Sequence, residues 1–258
     1  MIILTVTDLH RVQRLYQLLG EAVIVHRPDV LALGGDFLDF QGSVVPQKSS
    51  MDCATFIAGL DVPEIVFVRS NHEDAEWWNF QEAWMKTARK LTKLHGEAAV
   101  LGPAVLVGFP CLLGDDPAFA ADKEPLPANH ASWVSKLLRE HGPAMRTLWL
   151  MHEPPALAKV KSSDDLMPGN RIWTELIERF SPLLAISGHG HATPIKTDRW
   201  FRRLGDTVSV NVGQSESGPL HYTVIEAEFG RQIPCLPSRM SVRAYPGGEP
   251  LEIIQNRK

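Results

Sequence analysis

The chain has 258 residues, 44% hydrophobic and 22% charged, with a net charge of −4 and a pI of about 6.2. These values suit a soluble globular protein with a sizeable core and make no electrostatic case for a nucleic-acid or membrane partner. Cys53, Cys111 and Cys235 lie far apart without C-x-x-C spacing, which argues for buried thiols and against a disulfide framework or a thiolate zinc site. No apolar run is long enough to span a bilayer, and Met1 leads into a strand without a basic leader, so the expected compartment is the cytoplasm.

Met1-Ile2-Ile3-Leu4-Thr5-Val6-Thr7 reads as a strand buried on both faces, with Asp8-Leu9-His10 at its end. Val12, Leu15, Tyr16, Leu19 and Ala22 then recur at helical spacing. Arg27-Pro28-Asp29 breaks the chain before a second strand, Val30 to Leu33, which runs into Gly34-Gly35-Asp36-Phe37-Leu38-Asp39. The two glycines let the backbone turn sharply and approach whatever Asp36 holds. Residues 41–50 read as a polar surface loop and Cys53 to Leu60 as a short helix. A third strand, Ile65 to Val68, ends in Ser70-Asn71-His72-Glu73.

Phe80, Trp84, Ala88 and Leu91 predict a helix with one apolar face. Ala98 to Leu101 and Ala104 to Val107, joined by Gly102-Pro103, predict a hairpin. Segments 108–131 and 156–170 are long and irregular, and such loops are often lids or binding loops, here the expected walls of a site. Between them, Ser132 to Arg139 predicts a helix and Thr147 to Met151 a strand that ends in His152-Glu153-Pro154-Pro155. Ile172, Trp173, Leu176, Ile177 and Phe180 mark another amphipathic helix, and Leu183 to Ser187 a strand ended by Gly188-His189-Gly190-His191. Val208 to Asn211 and Tyr222 to Glu228 alternate like half-buried strands. There is no repeat and no linker, so residues 1–258 are expected to form a single domain. A βαβαβ opening with a β-rich end implies an α/β sandwich with sheets at its centre.

Five strands thus end in polar groups: Asp8 and His10, Asp36 and Asp39, Asn71 and His72, His152, and His189 with His191. Ligands of open α/β sheets bind beyond the carboxyl ends of the strands, so these groups are expected to meet at one edge. Each alone has a plain explanation, a helix cap for Asp-x-His or a turn for Gly-Asp-x-x-Asp. All five in order imply a metal centre. Carboxylate, imidazole and amide oxygen without thiolate suit Mn, Fe, Zn or Ni ions. Asp36 could bridge two cations, one per oxygen. Two metals about 3.5–4 Å apart can clamp the attacking and leaving oxygens of an in-line displacement. They also acidify a bridging water to hydroxide near neutral pH.

The ordered set Asp8-x-His10, Gly35-Asp36-x-x-Asp39, Asn71-His72-Glu73, His152 and Gly188-His189-x-His191 resembles the calcineurin-like metallophosphoesterase superfamily. Asn211-x-Gly213 resembles a further backbone feature of that family. The resemblance implies a four-layer α/β/β/α sandwich with two central mixed sheets. It implies that Asp8, His10 and His191 hold one metal, that Asn71, His152 and His189 hold a second, and that Asp36 bridges them. His72 would sit at the leaving group with Glu73 behind it, and Asp39 would orient a histidine ligand. Ser70 stands where many relatives have glycine, for which a modest backbone adjustment is expected. Phe40 stands where protein-phosphatase relatives carry arginine.

The expected activity is therefore a metal-dependent phosphodiesterase acting on a small phosphoester, by in-line attack of a bridging hydroxide with His72 as general acid. Charge favours the diester. Two divalent ions, less Asp8, Asp36 and the hydroxide, leave one positive charge, which a diester monoanion matches and a monoester dianion exceeds. Arg11, Arg69, Arg199, Arg202 and Arg203 are the cations that could change this balance. A phosphomonoesterase or protein phosphatase is the alternative. A nuclease lacks room here for DNA-binding additions, and a non-catalytic scaffold would characteristically lack the histidine at the leaving group. Nothing in the sequence specifies an oligomeric state.

Overall fold

The computed structural model describes residues 1–37, 48–73, 91–94, 96–111, 129–156, 169–230 and 236–254. Asp39, Phe40, Trp77, Trp78, Phe80, Trp84, Ala88 and Cys235 lie outside the described residues, as do 112–128 and 157–168 of the two long loops.

One sheet begins with four parallel strands, β1 (Ile2–Val6), β2 (Val30–Leu33), β3 (Glu64–Phe67) and β4 (Leu91–Lys93). β11 (Tyr222–Phe229), β12 (Pro237–Tyr245) and β13 (Leu251–Ile254) extend it antiparallel from β1, giving the order β13-β12-β11-β1-β2-β3-β4. The second sheet is built from β5 (Glu97–Leu101), β6 (Ala104–Phe109), β7 (Thr147–Met151), β8 (Leu184–Ile186), β9 (Phe201–Leu204) and β10 (Thr207–Val210). Its order is β5-β6-β7-β8-β10-β9, with β6, β7, β8 and β10 parallel and both edges antiparallel. Both sheets are therefore mixed.

Alternation along the strands sorts the apolar side chains into layers. Ile3, Val30, Ala32 and Val66 point inward against Leu106, Leu148, Leu150, Ile186 and Val208 of the other sheet. Leu4, Val6, Leu31, Leu33, Ile65 and Phe67 point outward, under α1 (Gln13–His26) and α2 (Ser50–Ala58). On the far side, Val107, Phe109, Trp149 and Met151 pack under α3 (His130–His141) and α4 (Arg171–Phe180). The result is the four-layer α/β/β/α sandwich. Side-chain caps start three of these helices: Ser49 accepts from Asp52 N, Asn129 from Ser132 N and Asn170 from Ile172 N. A last short helix, α5 (Ala192–Thr197), follows His191. Among the described residues no helix is long and apolar enough to cross a membrane. Cys53 and Cys111 are buried, and neither is in a disulfide.

Three expectations change. Leu91 does not end a helix but opens β4, paired with Ile65 of β3. The loop predicted over 108–131 is shorter than drawn, since β6 runs to Phe109 and α3 begins at His130. β10 is buried at every position rather than half-buried, because sheet and helix layers cover both of its faces. The predicted hairpin is present as β5 and β6, with Gly102 in the left-handed region at φ 59°.

Trp149 anchors the outer core. It is fully buried, its Nε1 donates to Thr147 Oγ1 at 3.0 Å, and its ring meets Phe109 edge-on with centroids 4.9 Å apart. Trp149→Ala is expected to lose about 3–5 kcal/mol of unfolding free energy in urea denaturation. A loss under about 1 kcal/mol would contradict that packing.

Candidate metal centre

The carboxyl ends of β1, β2, β3, β7 and β8 carry Asp8 and His10, Asp36, Asn71 to Glu73, His152, and His189 with His191 in turn. Since the two sheets stack with these ends at one rim, residues far apart in sequence meet there. Getting them there requires unusual backbone. Asp8 (φ 60°), His10 (φ 44°), Asp36 (φ 54°) and His189 (φ 61°) are all left-handed. That conformation costs a non-glycine residue roughly 1–2 kcal/mol and persists only where surroundings enforce it. Here loop-to-loop hydrogen bonds do so: Asp8 N donates to Gly35 O, His10 N to Asp36 O, and Gly188 N to His152 O. Gly188 must be glycine, because a Cβ there would lie 2.5 Å from Asp8 Oδ2.

The side chains form two groups. Donor atoms of Asp8, His10, Asp36 and His191 lie within 4.8 Å of one another, as do those of Asp36, His152 and His189. Asp36 belongs to both, and its Oδ2 faces both groups, 3.6 Å from His10 Nε2 and 3.3 Å from His152 Nε2. Its Oδ1 is turned instead to the Ser70 hydroxyl. The expectation of one cation per oxygen therefore does not describe how this carboxylate is presented. His10 Nε2 and His191 Nε2 are 3.0 Å apart, and His152 Nε2 and His189 Nδ1 3.2 Å. His191 Nε2 is 3.2 Å from Asp8 Oδ1.

Electrostatics follow from burial of two carboxylates among four imidazoles. Burial opposes ionisation of Asp8, but the charge and hydrogen bond of His191 outweigh it and hold the carboxyl at about 2. Burial likewise opposes the charge of Asp36, yet His152 keeps it well below the usual range. Conversely, burial disfavours protonated His152, but Asp36 raises it to about 10. Asp8 raises His191 against the same opposition. Burial, then the charge of His152, pushes His189 down to about 4. Burial lowers His10 despite the pull of Asp36 and Asp8. Buried carboxylates call for positive charge at hand, and this site is built to keep it there.

The donor set fits transition-metal ions. Nitrogens about 2.1 Å from one ion would be about 3.0 Å apart at right angles and about 3.4 Å apart at tetrahedral angles, a range that holds the separations in both imidazole pairs. Asn71 Oδ1 is buried without a hydrogen-bond partner. Such an atom costs about 1–3 kcal/mol unless something takes it up, and a cation would. His152 also shows the backing typical of ligating histidines, with Nδ1 2.9 Å from Gly34 O.

The other predicted residues take these places. The His72 ring stands edge-on to His10, centroids 5.2 Å apart, beside the first group. Glu73 is fully buried, accepting from Phe37 N and Ser70 N at 2.8 Å each, and burial followed by the charge of Asp36 raises its pKa. Arg69 Nε donates to Glu73 O, Arg11 Nε to Lys48 O, and Arg202 to Pro155 O and Ala156 O. Asn211 donates to Gly188 O at 2.7 Å and accepts from Gly213 N at 2.9 Å, which buttresses the His189–His191 turn.

Sequence reasoning missed Thr7, whose hydroxyl donates to Asp8 Oδ2, and Glu153, which accepts from Asn170 Nδ2 and Trp173 Nε1 and ties the His152 loop to α4. Their adjacency to candidate ligands was the available signal. A cavity of about 170 Å³ adjoins the same turn, lined by Pro154, Gly190, Trp200, Phe201, Arg202 and Asn211 among others.

Imidazole and carboxylate groups that share one carboxylate, at the carboxyl rim of two stacked mixed sheets, form a candidate metal centre. The chain belongs to the calcineurin-like phosphoesterase family, which matches over residues 1–193. That membership supports a phosphoester hydrolase from a family that binds divalent metal ions. No curated protein matches the chain. Among solved structures it is similar to TT1561 of Thermus thermophilus, at 18% identity and a TM-score of 0.61, over 86% of this chain and 92% of that one. A hypothetical protein from the same organism aligns at 13% identity and a TM-score of 0.54, over 95% and 99% of the two chains. Haemophilus influenzae NAD nucleotidase (NadN) aligns at 10% identity and a TM-score of 0.55, over 98% of this chain and 53% of its own. At these identities the likeness is one of fold.

Proposed function

We propose that the protein is a dinuclear metal-dependent phosphodiesterase for small phosphoesters. The observation that carries this reading is the sharing of Asp36 between two groups of ligating atoms. In it, Asp8, His10 and His191 would hold one ion, Asn71, His152 and His189 the other, and Asp36 would be shared by both. When bound, two ions of Mn, Fe, Zn or Ni supply Lewis acidity for the phosphoryl oxygens and acidify the attacking water. Hydroxide, formed when that water gives its proton to solvent, bonds to phosphorus as the opposite P–O bond breaks. His72 gives its proton to the departing oxygen. Glu73 holds the loops of β2 and β3 together through Phe37 N and Ser70 N. Asp39, outside the described residues, is retained as the group that orients a histidine. Residues 1–258 are taken as one domain, with 108–131 and 156–170 as walls of the site.

A diester is preferred over a monoester because the site already buries two ionised carboxylates. Arg11, Arg69 and Arg202 each donate to main-chain carbonyls. The cavity with Trp200 and Phe201 in its wall offers an apolar place for an organic ester group. Chelation is expected to abolish turnover and Mn²⁺ to restore it. The kcat/KM for bis-p-nitrophenyl phosphate is then compared with that for p-nitrophenyl phosphate, scaled to the ratio shown by a small dinuclear metal complex. A diester preference on that scale is the expected result. A monoester preference would put the phosphomonoesterase reading in front, and absence of metal by elemental analysis after Mn²⁺ loading would sink both.

A further inference from the structure

Ser70 draws together more of the site than a small loop residue needs to. It is buried, and its hydroxyl lies between Asp36 Oδ1 and Glu73 Oε2 in short contacts to both. The same hydroxyl accepts the backbone N–H of Asp36 at 2.9 Å. A serine hydroxyl has one hydrogen and two lone pairs. The Asp36 N–H takes a lone pair. Glu73 already receives two backbone N–H groups, from Phe37 and Ser70, so the hydroxyl hydrogen is best placed on Asp36 Oδ1. Backbone and carboxylate of Asp36 thus close on one oxygen.

That closure matters because the terminal torsion of an aspartate is broad and selects no orientation by itself. With Oδ1 held by Ser70, Oδ2 is delivered to His10 Nε2 and His152 Nε2, one from each group. Ser70 is itself fixed. Glu73 bridges Ser70 N and Phe37 N, and a Cβ on Gly35 would lie 2.7 Å from Ser70 Cβ and 2.9 Å from His152 Nδ1. The interlock leaves the hydroxyl little room to move.

We propose that Ser70 is a positioning residue, whose hydroxyl sets the orientation of the Asp36 carboxylate that both ligand groups share. This rests on the dinuclear reading for the role of Asp36 and adds to it a role for a side chain from which the sequence led us to expect only a backbone adjustment. The test is Co²⁺ titration of the chelated protein, followed by calorimetry and by the visible absorption of the bound ion. Ser70→Ala is expected to weaken Co²⁺ binding by about 10–100-fold and to change the absorption band, as loss of a group that orients a ligand does. Its far-UV circular dichroism should stay that of the wild type. Ser70→Thr, which keeps the hydroxyl but adds a methyl group to a tight site, should bind more tightly than Ser70→Ala. Should Ser70→Ala fail to fold, Ser70→Cys, with its weaker donor, is read in its place and should likewise bind more weakly. Wild-type affinity and an unchanged band in the Ala or Cys variant would overturn the proposal, as would an equal loss in Ser70→Thr, which would mean packing alone. Failure of the wild-type protein to bind Co²⁺ would instead defeat the dinuclear reading itself.

Discussion

Asp36→Asn is expected to lose metal from both ligand groups and to lose turnover with it. Asparagine is the cleaner substitution because Asp36 sits at φ 54°, a conformation asparagine tolerates better than alanine. The amide keeps the shape and removes the charge that Oδ2 presents to His10 and His152. The fall in metal affinity should exceed the roughly 10–100-fold that follows loss of a mere supporting hydrogen bond. Asp8→Asn is the contrast. Asp8 contacts His191 of one group only, although its carboxylate also receives the His189 N–H at 3.0 Å, which an asparagine oxygen can still accept. Elemental analysis after Mn²⁺ loading should find up to two ions per chain in the wild type, one in Asp8→Asn and none in Asp36→Asn. If Asp36→Asn kept one ion tightly, Asp36 would belong to one site and the shared-carboxylate reading would fail.

His72→Ala is expected to keep the metal and lose the chemistry. The ring stands beside His10 without being needed to complete either group of ligating atoms. A proton donor to the leaving oxygen contributes roughly 10²–10⁴ in rate, and only when that oxygen leaves as a poor group. The drop in kcat should therefore be large for an alkyl ester and small for a p-nitrophenyl ester, whose phenolate departs without help. Equal drops for both would remove the general-acid role and leave His72 as a residue that positions the phosphate. Metal content, measured on the same samples, separates either outcome from damage to the site.

The polar groups at the strand ends were legible because each strand announced itself locally. A run such as Thr147 to Met151 is apolar throughout, and the chain must turn where His152 begins. Helix starts were legible for the same reason, in Asn129 and Asn170, whose side chains cap the helices that follow. Leu91 was misread because its spacing from Ala88 fits a helix, while pairing with Ile65 at the free edge of β3 made it a strand. Strand preference depends on the neighbour a strand finds, and that neighbour is not local.

By itself the sequence determined the alternation of helices and strands, the residue types offered at each strand end and, through them, the family. Only the tertiary structure decided which of the candidate ligands come together, Asp8, His10, Asp36 and His191 in one group and Asp36, His152 and His189 in another. Asp8 meets His191 because β1 and β8 lie in different sheets whose carboxyl ends stack at one rim, a packing set by inward side chains such as Ile3 and Leu184. Only the tertiary structure, too, turned Oδ1 of Asp36 to Ser70 and Oδ2 to the histidines. Periodicity says which face of an element is buried. The direction of a carboxylate on a left-handed loop residue is set by hydrogen bonds from other loops, and these exist only once the sheets have come together.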